Sequence, residues 1–520
     1  MTTRPCAADV VIVGAGTAGS VLAHRLSAHA NTQVLLLEAG DEPQDPRIAQ
    51  PGQWAMLQNS AIDWAFRTTS QSGLGDRVEE CPRGRVIGGS SAINAMGHMR
   101  GHPRDFAAWV DSGAAGWDYN DLLPYFRRSE TSPFADDALY GGDGPIHLEQ
   151  PATPHPLSVA HVAAGAALGQ PRLRDHNCGT MTGATFNTMT ILNGRRQSTA
   201  DAYLTEQVRQ RPNLSIRRNV IVDRLVFDST GRATGLRLAD GEVITAHGAV
   251  ILAAGAIGSP SILMRSGFGD GRVLRRLGLD VRADMAGIGQ NLQDHLLSGG
   301  NVYRARQQVP LTSTQHSEAM MYLRAEGQSM DDAPDLVVGV TSVPLVSAGL
   351  RDRVPPMALG DAYTLMFGIT HPRSRGSMAL ASADPSAAPV IDPAYLSHPT
   401  DRAHFVEALH WARRLGASES YADWRGEELL PAASDLATPD ALERFIGLAA
   451  LTHHHPIGTL RMGDDATAPT ATTLEFKGAE RVFIADGSVM PSLTTGPVNA
   501  AIVAIAEKGS ELIAARLHLG

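Results

Sequence analysis

DVVIVGAGTAGSVLAHRLS (residues 9–27) indicates the class of fold. A run of β-branched residues leads directly into Gly14, Gly16 and Gly19, and apolar residues then recur at the spacing of one helical face. TQVLLLEAG (residues 32–40) follows as a second apolar run, which ends on Glu38. This order of strand, glycine turn, helix and strand predicts a βαβ unit at the start of an α/β domain.

Each glycine in this unit meets a different steric demand. Gly14 allows the tight turn, Gly16 lets the backbone approach a pyrophosphate, and Gly19 lets the helix pack closely on the strand. The free N–H groups at the helix N-terminus attract phosphates. Glu38 stands 19 residues after Gly19, where an acid accepts hydrogen bonds from ribose hydroxyls. The unit therefore predicts a dinucleotide site, without separating NAD from the ADP half of FAD.

Composition narrows the class of protein further. A length of 520 residues predicts two or three domains. The net charge is −10 and there is no run dense in lysine or arginine, which argues against nucleic acid or an anionic membrane as partner. No apolar run approaches the roughly 20 residues that a membrane span needs. Cys6, Cys81 and Cys178 form no CxxC motif, so we expect a cytoplasmic protein without disulfides. The oligomeric state cannot be predicted from these features.

PRGRVIGGSSAINAMGHMRG (residues 82–101) is a second glycine-rich stretch, which taken alone could equally be a plain loop. Its segment GRVIGGSSAIN resembles the first signature of the glucose–methanol–choline (GMC) flavoprotein oxidoreductases. GAIGSPSILMRSGFG (residues 255–269) resembles the second signature. GIGQNLQDHL (residues 287–296) and the C-terminal FIADGSVMPSLTTGPVNAAIVAIAEKGSELI (residues 483–513) resemble further family segments, in family order. The resemblance therefore spans nearly the whole chain.

The resemblance implies a two-domain α/β (α+β) architecture. A Rossmann-like FAD-binding domain would comprise residues 1–153, 194–298 and 447–520. A substrate-binding domain would comprise residues 154–193 and 299–446, and would consist of an antiparallel sheet covered by helices.

The resemblance also implies that the protein binds FAD. In some members a histidine tethers FAD covalently, and Ile93 at the matching position has no nucleophilic atom, so we expect non-covalent binding. The ADP moiety would be held by Gly14, Gly16, Thr17, Ala18, Gly19, Glu38 and Ala39. The flavin and pyrophosphate would be met by Arg85, Gly88, Gly89, Ser91, Asn94 and Ala95. Further cofactor contacts would come from the backbone of Val220 and from Asp486, Gly487 and Asn499. Asp486 alternatively caps a helix, and the two roles are compatible.

Three adjacent histidines lie in LTHHHPIGTLRMG (residues 451–463). On a strand, His453 and His455 could converge on a metal ion, but a catalytic zinc wants a third ligand and no second Cys/His motif offers one, so we expect no metal. A purely structural cluster is a further alternative. In the family pattern the histidine before the proline is catalytic, which is His455, and its partner matches Asn499. The resemblance would place His453 and Pro497 in the substrate pocket.

This pair suits the oxidation of an alcohol. Histidine has an ordinary pKa of about 6.5, so His455 can act as a base near neutral pH. Asn499 cannot take a proton at neutral pH, but its amide can donate a hydrogen bond to the developing alkoxide. The resemblance implies hydride transfer to flavin N5 and reduction of O2 to H2O2.

The substrate is predicted from the closer resemblance within the family. RGHPRDFAAWVD (residues 100–111) and HNCGTMTGATFNTMTILNGRRQSTADAYL (residues 176–204) resemble members that oxidise pyridoxine to pyridoxal. We therefore predict a small primary alcohol on an aromatic or heteroaromatic ring, with pyridoxine first. Oxidases of aryl alcohols and 5-hydroxymethylfurfural, which carry the same His–Asn pair, and a choline-like dehydrogenase with an acceptor other than O2 are the alternatives. A lyase of the same fold and a plain NAD enzyme are the more distant ones.

Overall fold

The structure, a computed structural model, describes residues 6–312 and 314–519. Its first sheet is centred on the strand Ala7–Val13, which leads into the helix Thr17–Leu26 and the parallel strand Val34–Leu37. Val11 pairs with Leu35 on one side and Val250 on the other, and all three are fully buried. The predicted βαβ unit is therefore confirmed, and its strands are apolar from Val10 to Val13 and from Val34 to Leu37 because both faces of a parallel sheet are covered.

The remaining strands extend this sheet on both sides. The parallel part runs in the spatial order Leu214–Arg217, Val34–Leu37, Ala7–Val13, Val243–Leu252 and Val482–Ile484. An antiparallel meander joins the first half of Val243–Leu252 and consists of Val222–Phe227 and Ala233–Leu238. The C-terminal helix Asn499–Arg516 packs beside the helix Thr17–Leu26, so both ends of the chain build the same domain.

The second large sheet is antiparallel. Its strands follow the order Ala319–Leu323, Leu336–Thr341, Ala362–Ile369, Leu296–Ser298 and Ala450–Thr452, and Ala362–Ile369 also pairs with Val302–Ala305, which in turn pairs with Arg425–Leu430. The helices Pro156–Ala167 and Pro399–Ala417 pack on it. Every residue of Leu336–Thr341 and Ala362–Ile369 is buried, so this sheet is covered on both faces. The predicted two-domain fold class is confirmed.

The predicted domain boundaries stay a prediction. The strands Leu296–Ser298 and Ala450–Thr452, which the predicted division assigns to the FAD-binding part, pair with each other inside the second sheet. They connect the two parts of the molecule at the position of the histidine segment.

Smaller elements surround the two sheets. The other helices are Pro103–Asp111, Tyr119–Ser129, Thr199–Tyr203, Glu206–Arg209, Gly255–Arg265, Gly271–Arg276 and Pro439–Ala449. The other strands are Phe66–Gln71, Arg77–Cys81, Glu130–Thr131, Ile146–His147, Gly183–Phe186, Ile191–Leu192, Arg195–Arg196, Phe268–Gly269, Ala283–Asp284, Gln290–Leu292, Gly376–Ala379 and Val390–Asp392. Within the described ranges, none of the helices combines the length and the apolar character that crossing a bilayer requires.

Candidate active site

A cleft opens at the carboxyl ends of the parallel strands, where Val13, Leu37 and Ala253 contribute to its wall. Open α/β sheets bind their ligands at this end of the strands. The predicted cofactor residues that line the cleft are Gly14, Gly16, Thr17, Ala18, Glu38, Ala39, Gly89, Val220, Asp486 and Gly487. Segments far apart in the chain thus meet around one cavity.

Two helix N-termini face this cleft. The helix Thr17–Leu26 begins after Gly16 without a side-chain cap and without an acidic residue in its first turn. The helix Gly255–Arg265 begins after Ala254, which gives no side-chain cap, but its Gly255 N–H already donates to the Asp486 carboxylate. The N-terminus at Thr17 presents backbone N–H donors and the positive end of the helix dipole, which suits the phosphates of a dinucleotide. The donor set of the cleft therefore fits the pyrophosphate of FAD.

Close backbone crossings form the floor of the cleft. Gly14 has φ +98°, and a Cβ added there would lie 2.6 Å from the carbonyl oxygen of Ala253. Gly89 has φ +52°, and its Cβ would lie 2.6 Å from the Cα of Gly16. The first and second glycine-rich stretches therefore touch at a point where no side chain fits.

Glu38 lies at the end of the second strand and is buried. Its carboxylate accepts hydrogen bonds from the backbone N–H groups of Ala15 and Gly40, both at 2.8 Å. Burial raises the pKa of Glu38 to about 7, and these hydrogen bonds oppose the rise. The acid is thus held rigidly at the predicted ribose position.

Asp486 connects two segments of the cleft wall. Its carboxylate accepts hydrogen bonds from the Ser259 hydroxyl at 2.6 Å and from the Gly255 N–H at 2.8 Å. It also accepts the Ser488 N–H at 2.8 Å, and so caps its own short 3-10 turn. The capping alternative is therefore observed, and the same carboxylate orients the helix N-terminus at Gly255.

Three other predicted cofactor residues lie beside the lining. The Arg85 guanidinium stacks 4.9 Å from the ring centroid of Trp64, which itself lines the cleft. Gly88 has φ +99°. Gly19 packs against the glycine turn, where an added Cβ would lie 1.7 Å from the carbonyl oxygen of Gly14. Gly19 therefore acts through helix packing.

The rest of the second glycine-rich stretch is held by its own hydrogen bonds. The Ser91 hydroxyl donates to the Gly88 carbonyl at 2.6 Å. The side-chain oxygen of Asn94 accepts from the Arg196 guanidinium at 2.9 Å, and Ala95 follows in the same half-buried turn. Arg196 had no role in the sequence analysis, and it fixes this turn from a distant segment.

Strand pairing explains why two of the three adjacent histidines converge. Leu296 pairs with Thr452, and Gln293 and Ile457 exchange backbone hydrogen bonds, so residues 453–456 protrude between two paired positions. His454 has φ +67°, which turns the chain sharply. As a result, the rings of His453 and His455 lie together, with their centroids 4.4 Å apart. The His454 ring instead contacts the side-chain amide of Gln58 at 3.2 Å.

His455 is positioned by two consecutive residues that the sequence analysis did not assign. The His455 backbone N–H donates to the Asp294 carboxylate at 2.6 Å, and its Nδ1 lies 2.9 Å from Nδ1 of His295. Burial lowers the pKa of His455 well below 6.5, and the neighbouring His453 and His295 lower it further. His455 is therefore a neutral imidazole at neutral pH, with one ring nitrogen unprotonated. The QDH of the GIGQNLQDHL segment was the available signal for Asp294 and His295.

The structure supplies a third ring beside the two predicted ones. The ligand nitrogens of His295, His453 and His455 all lie within 4.8 Å of one another. The sequence had no recognisable third ligand, because His295 is 160 residues away from His455. The prediction that no metal binds here stays a prediction, and the geometry makes it worth a direct test.

Asn499 is the first residue of the C-terminal helix. The hydroxyl of Thr17 donates to the side-chain oxygen of Asn499 at 2.8 Å, which leaves the amide N–H groups as donors. Pro497 lies two residues earlier, where a Cβ added to Gly97 would be 3.5 Å from its Cγ. The structure thus connects Asn499 directly to the glycine turn of the cleft.

The chain matches the family models for GMC oxidoreductases over residues 8–297 and 372–506. It is 42% identical to pyridoxine 4-oxidase of Microbacterium luteolum, over 96% of this chain and 98% of that protein. It is 36% identical to the mitochondrial choline dehydrogenase of Mus musculus, over 97% of this chain and 89% of that protein.

Among solved structures, the crystal structure of pyridoxine 4-oxidase from Mesorbium loti superposes with a TM-score of 0.92 at 44% identity, covering 97% of this chain and 98% of that one. The chain therefore belongs to the GMC oxidoreductase family and is an FAD-dependent oxidoreductase that acts on alcohols.

Proposed function

We propose that this protein oxidises a primary alcohol on an aromatic or heteroaromatic ring to the aldehyde, with pyridoxine as the first candidate and O2 as the electron acceptor. The observation that carries the chemistry is the neutral, buried His455, whose backbone and ring are both held by hydrogen bonds. The choice of pyridoxine is supported by identities of 42% and 44% to two pyridoxine 4-oxidases over nearly the full chain.

The chain's own residues divide the work of the reaction. His455 accepts the proton of the substrate hydroxyl, and an amide N–H of Asn499 donates to the oxygen as negative charge develops. The Thr17 hydroxyl donates to the side-chain oxygen of Asn499, which leaves the N–H groups of that amide available as donors. His453 and Pro497 border the substrate ring. FAD, when bound, supplies the acceptor for the hydride that leaves the alcohol carbon.

The cofactor is proposed to be held without a covalent bond. Ile93, at the position of the family's tethering histidine, is buried in an apolar cluster with Val86, Ala92 and Leu57. Its side chain offers no nucleophile. Denaturation in acid should release all the yellow colour into the supernatant, and colour that stays with the precipitated protein would contradict this.

Two alternatives concern the alcohol and the electron acceptor. The His455–Asn499 pair favours an oxidase of aryl alcohols or 5-hydroxymethylfurfural. The similarity to choline dehydrogenase favours a different acceptor. We also propose a reducing, cytoplasmic location, supported by Cys6, Cys81 and Cys178, which are all unpaired.

A panel of pyridoxine, benzyl alcohol, 5-hydroxymethylfurfural and choline tests the proposal. Pyridoxine should bleach the flavin fastest under nitrogen and should produce peroxide in air. Bleaching without peroxide would replace the oxidase by a dehydrogenase, and fastest bleaching by another alcohol would replace the substrate. A protein whose flavin no alcohol bleaches would overturn the proposed activity.

A further inference from the structure

His295 is a buried imidazole whose two ring nitrogens both have polar partners. It is 2% exposed and lies directly before the strand Leu296–Ser298. Its Nε2 lies 2.8 Å from the backbone carbonyl oxygen of Thr370. Its Nδ1 lies 2.9 Å from Nδ1 of His455.

These two contacts determine where the protons lie. A carbonyl oxygen only accepts hydrogen bonds, so Nε2 of His295 must carry a proton and donate it to Thr370. In a neutral imidazole the other nitrogen then has a lone pair and accepts. Nδ1 of His295 therefore accepts from His455, and Nδ1 of His455 must carry the donated proton. The lone pair of His455 is consequently on Nε2.

We propose that His295 is a positioning residue that holds His455 in the tautomer with its proton on Nδ1, so that Nε2 is the atom that takes the proton of the substrate alcohol. This inference rests on the proposed function of His455 as the base. It adds to that function a named nitrogen and the residue that selects it.

The surroundings keep His295 neutral, as this arrangement requires. Burial, and after it the charge of His371, lower the pKa of His295 to about 3. His371 follows Thr370 in the chain and is itself held as a cation, because hydrogen bonds to Asp105 and Asp335 outweigh burial and raise its pKa to about 10. The charge of Asp105 also acts on His295 and opposes the lowering of its pKa. The other titratable or charged groups that act on the His295–His455 pair are Arg83, Asp294, His453 and His454.

The proton balance of the oxidation follows from this geometry. The alcohol loses its hydroxyl proton to Nε2 of His455, and FAD, when bound, would supply the acceptor for the hydride from carbon, which accounts for both hydrogens and both electrons. His455 becomes an imidazolium, and its Nδ1–H continues to donate to the neutral Nδ1 of His295. A hydrogen bond from a cation is stronger than one from a neutral donor, so His295 stabilises the protonated base as it forms.

Two amide substitutions of His295, of nearly equal size, test the hydrogen-bond acceptor at Nδ1 separately from the space that the imidazole ring fills. In His295→Asn the side-chain amide reaches the position of Nδ1, and its oxygen can still accept from His455. In His295→Gln the amide reaches the position of Nε2, so the donor to Thr370 is kept and the acceptor is lost. We expect His295→Gln to slow anaerobic flavin reduction by pyridoxine about 10- to 100-fold, with His295→Asn within a few-fold of wild type.

The pH dependence of the flavin-reduction rate distinguishes loss of the hydrogen-bond acceptor from loss of packing, because loss of packing alone would not shift it. Without the acceptor, the protonated form of His455 is less stable, so the acid limb of the flavin-reduction rate should move to lower pH in His295→Gln and stay in place in His295→Asn. Equal rates and equal acid limbs in the two variants would overturn the proposal. FAD content and the visible spectrum of each holoenzyme show whether the fold is kept.

A measurement on the unmodified holoenzyme covers the case in which a variant does not fold. Nitrogen NMR with ring-labelled histidine should show a neutral imidazole with its proton on Nδ1 whose signal disappears in His455→Gln and is thereby assigned to His455. Assignment of that signal to the opposite tautomer would overturn the inference. The proposed base has its own test: if His455→Ala reduces flavin at the normal rate, the function of His455 fails, whereas a slow His455→Ala together with a normal His295→Gln contradicts only the inference about His295.

Discussion

The nucleotide cleft and the histidine cluster are built in opposite ways. The cleft is formed mainly by backbone, with glycines that lack a side chain and the uncapped N-terminus of the helix Thr17–Leu26, together with two buried acids, Glu38 and Asp486. The cluster is formed by imidazole side chains from distant segments, with 160 residues between His295 and His455. A change in the cleft should therefore act through steric fit and cofactor affinity, whereas a change in the cluster should act through protons and leave the cofactor bound.

The sharpest test of this difference is His455→Ala. We expect flavin reduction by alcohol to slow by at least ~100-fold, the low end for loss of a general base. FAD should stay bound, since Pro456 rather than His455 lines the cleft. Stopped-flow reduction and the flavin content of the purified protein measure the two effects. His454→Gln is the matched control and should reduce the rate far less, and an equal loss in both variants would contradict the separation.

The reverse test places a methyl group in the cleft. In Gly89→Ala the new Cβ would lie 2.6 Å from the Cα of Gly16, so the crossing of the two glycine stretches must open. We expect FAD affinity to fall at least ~10-fold, while reduction of the fraction that keeps FAD stays within a few-fold. Gly241→Ala is the control, because it has a positive φ of +92° but nothing within 4 Å. Fluorescence titration of the apoprotein with FAD measures both, and equal affinities would contradict the steric account.

The pH dependence of the free energy of unfolding tests how the two regions are joined. His371 contacts Asp335, which directly precedes the strand Leu336–Thr341 of the second sheet, and also contacts Asp105. Asp105 in turn accepts the backbone N–H of Thr495 at 2.6 Å. Hydrogen bonds and the two carboxylates raise the pKa of His371 to about 10 against burial, so folding binds a proton at His371. Its contribution to stability is complete below about pH 6.5 and is lost as the pH rises through about 10.

We therefore expect the melting temperature to fall by a few degrees between pH 7 and pH 10.5 in the wild type, and to fall less in His371→Gln. Differential scanning fluorimetry over this range gives both slopes. Parallel curves for the two proteins would show that His371 is not the group responsible.

The smallest effect is expected from removing metal ions. His295, His453 and His455 could hold an ion, but the hydrogen bond between His295 and His455 already uses a nitrogen of each. Dialysis against EDTA should therefore leave flavin reduction unchanged. A loss that added zinc restores would instead make this cluster a metal site and would remove the assignment of His455 as the base.

Much of the cleft could be predicted from the sequence, because its determinants are local. Gly14, Gly16 and Glu38 lie within one βαβ unit, and turn geometry and strand periodicity are properties of short segments. The family signatures then extended the prediction to Gly89 and Asp486, both of which line the cleft. The roles of these residues in binding FAD remain proposals, but their convergence on one cavity is observed.

The partners of the proposed catalytic pair could not be predicted in this way. Whether His453 and His455 face one side depends on the register of Leu296 with Thr452 and on the left-handed turn at His454. A slip of one residue in that register would reverse the faces of the strand. His295 became visible as a partner only once this pairing was known.

The amino-acid sequence was sufficient for the fold class and the glycine-lined cleft, since those depend on backbone preferences that act over a few residues, and its signature segments were sufficient for the family. Folding in three dimensions was needed to bring His295 to His455 and Thr17 to Asn499, and to lower the pKa of His455 by burial. Hydrogen bonds between remote side chains and the removal of water are properties of the packed molecule, and no short segment contains them.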